Sequence, residues 1–189
     1  MIILASQSPR RREILEKLIP NFIVCPSDAS EQIDERDPRA YAMELAVRKA
    51  QDVASNHPGD TVIAADTIVC LGDRILGKPR DRQEAHDYLR TLSGEVHEVY
   101  TGVAVVHEGK LHRFCECTEV HFRHLSDSLI EDYIASGEPM DKAGAYGIQG
   151  IGGRFVEGIH GDFFNVMGLP LCALSCLLEE LGIVGGAQA

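Results

Sequence analysis

Read from the amino terminus, short apolar runs alternate with stretches in which apolar residues recur at helical spacing. Ile2 to Ala5 reads as a strand, Pro9 to Leu18 as a helix and Phe22 to Cys25 as a second strand, with a polar loop from Pro26 to Pro38. Between Arg39 and Asn56, Ala42, Leu45, Ala46 and Val53 keep one helical face and leave Glu44, Arg48 and Asp52 for solvent. Thr61 to Leu71 is apolar and partly β-branched, the pattern of a largely buried strand, although Asp66 interrupts it. Asp81 suits the cap of a helix that runs to Leu92, with Ala85, Leu89 and Leu92 inward and Gly94 as its stop. Val96 to Val106 and Leu111 to Phe122 predict a hairpin turning near Glu108-Gly109. Ser126 or Asp127 starts a helix that ends at Gly137. A glycine-rich loop from Gly144 to Gly153, a strand near Phe155 to Ile159 and an apolar helix from Leu169 to Leu181 complete the order, with Gly185 to Ala189 as a loose tail.

Helices separated by strands, together with a long antiparallel hairpin, predict a mixed-sheet α/β or α+β fold. Neither a composition shift nor a Pro/Ser-rich linker divides the chain, so a single domain spanning 1–189, with room for two lobes, is expected. Hydrophobic content of 44% beside 25% charged residues is ordinary for a globular protein, which argues against disorder or a fibre.

Charge narrows the partners. With 18 basic against 29 acidic residues and a formal net charge of -11, the chain lacks the broad basic surface that a nucleic-acid polymer demands. No apolar stretch is long enough to span a membrane, and Pro9 with Arg10 to Arg12 breaks any signal-peptide layout, so a cytoplasmic protein is expected. The six cysteines include no Cys-x-x-Cys pair, and reduced thiols packed as small hydrophobes fit better than zinc ligands.

Against that acidic background the segment Ser6-Gln7-Ser8-Pro9-Arg10-Arg11-Arg12 is conspicuous. Pro9 suits a first helical position and Ser8 its cap, and the open N–H groups of the first turn favour an anion such as phosphate. The alternative is a solvated basic face, although cations at a helix start oppose its dipole. Asp66 lies inside the apolar run Ala64-Ala65-Asp66-Thr67-Ile68-Val69, where a carboxylate must be paired, hydrogen-bonded or metal-bound. A structural Asp satisfied by backbone groups is the competing reading. Lys78, in Gly77-Lys78-Pro79-Arg80-Asp81, is either a second cationic element of a site or a solvated surface lysine; the Walker and dinucleotide glycine patterns are both absent. Gln149 lies in a loop whose glycines either let backbone approach a ligand or merely satisfy turn geometry, and its amide can both donate and accept, as reading a base edge requires.

Taken in order, Ser6 to Arg11, Asp66-Thr67, Lys78-Pro79-Arg80-Asp81, Ser136-Gly137-Glu138-Pro139, Lys142 to Gly150 and Asn165 to Leu171 resemble the Maf-like nucleotide pyrophosphatases over nearly the whole chain. The resemblance implies an elongated mixed sheet flanked by helices, similar to inosine-triphosphate pyrophosphatase, with two lobes around a nucleotide cleft and a homodimer. It places the family's polar residues on Ser6, Arg11, Glu31, Lys49, Asp66 and Lys78, with Asp28 and Asp34 as rivals to Glu31 in a loop of variable length.

The resemblance makes Asp66 the expected proton acceptor; the roles that accompany it put Ser6, Arg11, Lys49 and Lys78 on phosphate and Glu31 on Mg²⁺ or Mn²⁺, while Asp66 either takes the proton from water or is itself a metal ligand. Arg10, Thr67 and Gln149 match the branch that acts on dTTP and UTP rather than the one that acts on 7-methyl-GTP. The implied activity is hydrolysis of a nucleoside triphosphate to its monophosphate and pyrophosphate. A non-catalytic nucleotide-binding regulator of cell division or septum formation is the competing class.

Overall fold

The computed structural model describes residues 1–185; most of the tail expected from Gly185 to Ala189 lies outside the described residues. Within the described residues seven strands form one mixed sheet: β1 (Ile2–Leu4), β2 (Ile23–Val24), β3 (Thr61–Leu71), β4 (Arg74–Leu76), β5 (Val96–His107), β6 (Lys110–Phe122) and β7 (Val156–His160). Their order is β2-β1-β3-β5-β6-β7, with β4 also paired to β3. Among the described residues six α-helices accompany them: α1 (Pro9–Glu16), α2 (Pro38–Asn56), α3 (Arg82–Leu92), α4 (Asp127–Ala135), α5 (Phe163–Met167) and α6 (Leu171–Glu180). The mixed α/β class read from the alternation of elements is the class found.

Connection length decides the two halves of the sheet's topology. β1 runs parallel to both β2 and β3, with Ile3 opposite Ile23 and Val62, because α1 and α2 return the chain to the same end each time. The hairpin from β5 to β6 needs only Glu108 and Gly109, both at positive φ (50° and 74°), the twist that a two-residue connection favours. β7 then pairs antiparallel with β6, Val120 opposite Ile159.

Two compact units share these strands. The first comprises Met1–Asp66, Thr101–Glu116 and the chain from Gly168; the second comprises Thr67–Tyr100 and Cys117–Met167. In the first unit, Ala46, Val47, Ala50 and Val53 of α2 pack on Ile3, Ala5, Val62, Ala64 and Ala104. Burial of such a stripe, at roughly 25 cal/mol per Å² of apolar surface, is what holds the helix to the sheet. In the second unit, Leu89 and Leu92 of α3 and Ile130 and Tyr133 of α4 join Val99, Val120, Phe122 and Phe155 in a larger core.

Several expectations need correction. The glycine-rich segment is not an open loop, since 3₁₀ turns at Ala143–Ala145 and Ile151–Phe155 flank Tyr146 to Gly150, and a further one covers Glu138–Asp141. Cys172 and Cys176 are exposed on α6 instead of packed as small hydrophobes. Asp52 does not simply face solvent: its Oδ2 accepts from the Ser27 hydroxyl at 2.6 Å and the Asp28 N–H at 3.0 Å, tying the preceding loop to α2. No helix among the described residues is long and apolar enough to cross a membrane.

Candidate active site

Strand parity and helix spacing together bring a carboxylate and an ammonium face to face. Val62, Ala64 and Asp66 share one side of β3, the side that packs on α2 through Val62 and Ala64. Lys49 follows Ala46 by three residues and precedes Val53 by four, so it continues the buried stripe of α2. Lys49 Nζ lies 2.5 Å from Asp66 Oδ1 and 2.7 Å from Glu31 Oε1. The side chains of Lys49 and Asp66 are 14% and 13% exposed, whereas Glu31 is 61% exposed. Burial alone would disfavour either charge, and the pairing offsets that penalty.

Glu31, and not Asp28, makes the ion pair with Lys49 in this structure. Asp28 is engaged through its N–H with Asp52, one turn along the same helix from Lys49, while Glu31 reaches the Lys49 ammonium.

The amino-terminal basic segment adds directional donors. Ser8 caps α1, its hydroxyl accepting the Arg11 N–H at 3.4 Å, with Pro9 in the first turn as its fixed φ favours. Ser6, buried just beyond β1, accepts from the Ser8 N–H at 3.2 Å and from Arg11 Nη1 at 3.3 Å. Arg11 Nε also donates to the Gly168 carbonyl at 2.8 Å. The three consecutive arginines therefore part company: Arg11 turns inward, while Arg12 is exposed and paired with Glu16. Burial pushes the Arg11 guanidinium below its ordinary range; Asp66 and Glu31 draw it back up, and Arg10 pushes it down. Arg11 thus feels the charges of Asp66, Arg10 and Glu31.

In the first unit the structure therefore brings together Ser6, Arg10, Arg11, Glu31, Lys49 and Asp66. Three cationic side chains meet two carboxylates there, a local excess of positive charge within an acidic protein, suited to a polyanion. Among the described residues no three His, Cys, Asp or Glu side chains form a cluster able to hold a metal ion by themselves. Glu31 and Asp66 nevertheless converge on a single cation, and two carboxylates completed by phosphate oxygens and water are an acceptable set for Mg²⁺ or Mn²⁺.

The other expected residues belong to the second unit. Thr67 follows Asp66 on β3, so its side chain leaves from the opposite face and is half-buried. Lys78 is exposed between β4 and α3, and Gln149 is exposed between two 3₁₀ turns. The glycines around Gln149 meet the protein itself: a Cβ on Gly147 would strike Lys142, on Gly150 the Glu138 carboxylate, and on Gly152 the Tyr133 hydroxyl. Glu138 and Tyr133 had no functional signal in the sequence beyond the run Ser136-Gly137-Glu138-Pro139.

The chain is similar to known proteins over nearly all of its length. The chain is 56% identical to the dTTP/UTP pyrophosphatase of Thermococcus onnurineus over 96% of its own length and 98% of that protein's. It is 53% identical to the enzyme of that name from Thermococcus kodakarensis, covering 96% and 97% of the two chains. The Clostridium tetani protein of the same name is 46% identical, again over 96% and 97%. The solved structure of the Staphylococcus aureus Ham1 protein aligns with 64% of this chain and 71% of its own at 15% identity, with a TM-score of 0.47. The family model described as Maf-like protein matches residues 1–181, and the chain belongs to that family.

Proposed function

We propose that this chain is a nucleoside triphosphate pyrophosphatase that hydrolyses dTTP and UTP to the monophosphate and pyrophosphate. The observation that carries the reading is Asp66, a largely buried carboxylate held by Lys49 within the electrostatic reach of Arg11. The substrate class draws support from the relatives named dTTP/UTP pyrophosphatase.

In this reading the Lys49 ammonium is the resident counter-cation of Asp66 and Glu31. A triphosphate brings several negative charges, so Lys49 exchanges a carboxylate for a phosphate oxygen. Arg11, oriented by Ser6 and Gly168, donates to the phosphates, and Ser6 contributes its hydroxyl. Asp66, released from the ammonium, orients a water and takes its proton as the water oxygen bonds to the α-phosphorus. The α–β phosphoanhydride bond breaks and its electrons leave with pyrophosphate. Mg²⁺ or Mn²⁺, which Glu31 and Asp66 would hold, supplies neutralisation of phosphate charge when bound.

Four roles rest on the family resemblance alone. Lys78 is assigned to phosphate, and Arg10, Thr67 and Gln149 to the base and sugar, with the Gln149 amide matching the adjacent carbonyl and N–H of thymine or uracil. The chain is further proposed to act as one functional domain, in the cytoplasm and as a homodimer.

A nucleotide panel with Mg²⁺ or Mn²⁺ tests the proposal. Pyrophosphate and monophosphate should appear from dTTP and UTP faster than from dCTP or GTP, and Asp66→Asn, with folding intact, should be slower by at least about a hundredfold. Nucleotide binding without pyrophosphate release overturns it in favour of the non-catalytic regulator.

A further inference from the structure

The segment that carries Gln149 is held on both sides by two side chains from α4 and the turn that follows it. Upstream, the Gly147 N–H donates to the Tyr133 hydroxyl at 3.2 Å. Downstream, the Ile151 N–H donates to Glu138 Oε2 at 2.9 Å and the Gly152 N–H to Glu138 Oε1 at 3.0 Å. The two anchors are joined, because the Tyr133 hydroxyl donates to Glu138 Oε1 at 2.8 Å. Lys142 closes the knot from beneath, its ammonium donating to the Glu138 carbonyl at 2.7 Å and to Asp141 Oδ1 at 2.6 Å.

We propose that Glu138, with Tyr133, is a positioning residue for substrate selection: it sets the backbone on either side of Gln149 so that the amide meets a pyrimidine base in one orientation. The inference rests on the base-reading role given to Gln149 above.

Three physical observations support it. A carboxylate accepts three donors at once here, and such charge-assisted bonds are about twice as strong as neutral ones. Burial pushes the Glu138 carboxyl up, but the Gly152 and Ile151 N–H groups and the Tyr133 hydroxyl outweigh it and hold the group below the usual carboxylate range. The loop has also surrendered its side chains to this contact, since a Cβ at Gly150 or Gly152 would collide with Glu138 or Tyr133. Glycine backbone lying directly on the carboxylate transmits its position to the neighbouring Gln149, whereas flexible glycines in solvent would leave the amide to wander. A displacement of about 1 Å at a recognition group is enough to lower discrimination by orders of magnitude.

Steady-state kinetics of Gln149→Ala, Glu138→Gln, Tyr133→Phe and the double variant Glu138→Gln/Gln149→Ala, in the full chain with Mg²⁺ and with dTTP and dCTP as probes, decide the matter. Gln149→Ala is expected to lower the dTTP preference. Glu138→Gln keeps the size of the side chain but replaces an acceptor oxygen with an amide NH₂, which donates and does not accept. It is expected to raise KM for dTTP about tenfold and lower the dTTP:dCTP ratio of kcat/KM by a similar factor, with kcat within about threefold. The double variant should be no worse than Gln149→Ala, because a positioning residue acts only through the group it positions.

Tyr133→Phe, which removes one member of the knot and no charge, should show the same KM-weighted loss at smaller size and serves where Glu138→Gln does not fold. Unchanged KM and selectivity in Glu138→Gln or, failing that, in Tyr133→Phe, beside an affected Gln149→Ala, overturns the positioning role alone. Additive losses in the double variant do the same. Unchanged selectivity in Gln149→Ala overturns the base-reading role and the positioning role with it.

Discussion

The ammonium of Lys49 pairs with two carboxylates at once, 2.5 Å from Asp66 on β3 and 2.7 Å from Glu31 on the loop that precedes α2. Removing it leaves the largely buried Asp66 charge without its ammonium partner. Lys49→Met is expected to lower stability by about 3 kcal/mol, and adding Asp66→Leu to recover most of that, since an apolar pair of similar size fills the space without a desolvation penalty. Under the proposed mechanism the double variant is expected to stay inactive, since it lacks both the side chain assigned to phosphate and the one assigned to the proton. Urea midpoints with unchanged m values check the stability half, and pyrophosphate release checks the other.

Arg11 uses two separate donors in fixed directions, Nε to the Gly168 carbonyl and Nη1 to the Ser6 hydroxyl. A lysine keeps the charge but cannot form that fork. Arg11→Lys is therefore expected to raise KM for dTTP about tenfold while leaving Tm within a few degrees; an unchanged KM would remove Arg11 from the phosphate-binding set.

Gly102 on β5 faces the backbone of α2 so closely that a Cβ would overlap the carbonyl of Ala42 and the amide nitrogen of Met43. Its φ is not in the left-handed region, so the obstacle is space alone. Gly102→Ala pushes α2 off the sheet, which is expected to cost about 2 kcal/mol, a fall in Tm of roughly 6 °C. Because α2 also carries Lys49, kcat/KM should fall with it.

His97 is buried in the second unit, with Nε2 2.8 Å from the Tyr146 hydroxyl and its ring edge-on to Phe122 and Tyr146. Burial, assisted by nearby His121, lowers its pKa to about 4 from the ordinary 6.5. The folded state thus resists a proton that the unfolded state accepts, so stability is fully present above pH 6.5 and is lost as pH falls toward 4. The loss amounts to about 3 kcal/mol at one pKa unit per 1.36 kcal/mol. In His97→Phe the dependence of urea stability on pH across that window should flatten by this amount, and an unchanged slope would refute the assignment.

Where a residue's place depends on near neighbours in the chain, it was legible. Ser8 as cap and Pro9 in the first turn, Asp81 as cap of α3, and the Glu108-Gly109 turn all follow from local backbone demands that particular side chains meet. The span of β3 was legible to the residue, and Asp66 declared itself because a carboxylate in an apolar strand needs a partner. The partner had a weaker signal: Lys49 continues the stripe of Ala42, Leu45, Ala46 and Val53, a position that patterning assigns to an apolar residue. Asp52 misled, since a polar residue on the outer side of a helix reads as solvated when it anchors a loop. Glu138 was hidden for a related reason. Its donors are backbone N–H groups, which every sequence possesses and none advertises.

By itself the sequence determined the order of elements, the mixed α/β class, the family, and which acidic residue could not be ordinary, because hydrophobic periodicity and turn chemistry act over a few residues. The tertiary structure alone decided that Glu31 and not Asp28 meets Lys49, and that Arg11 turns inward to a carbonyl 157 residues away while Arg12 stays outside. It alone seated the glycines around Gln149 on a carboxylate. Those choices are settled by burial and hydrogen-bond satisfaction between segments far apart in the chain, and no local pattern encodes them.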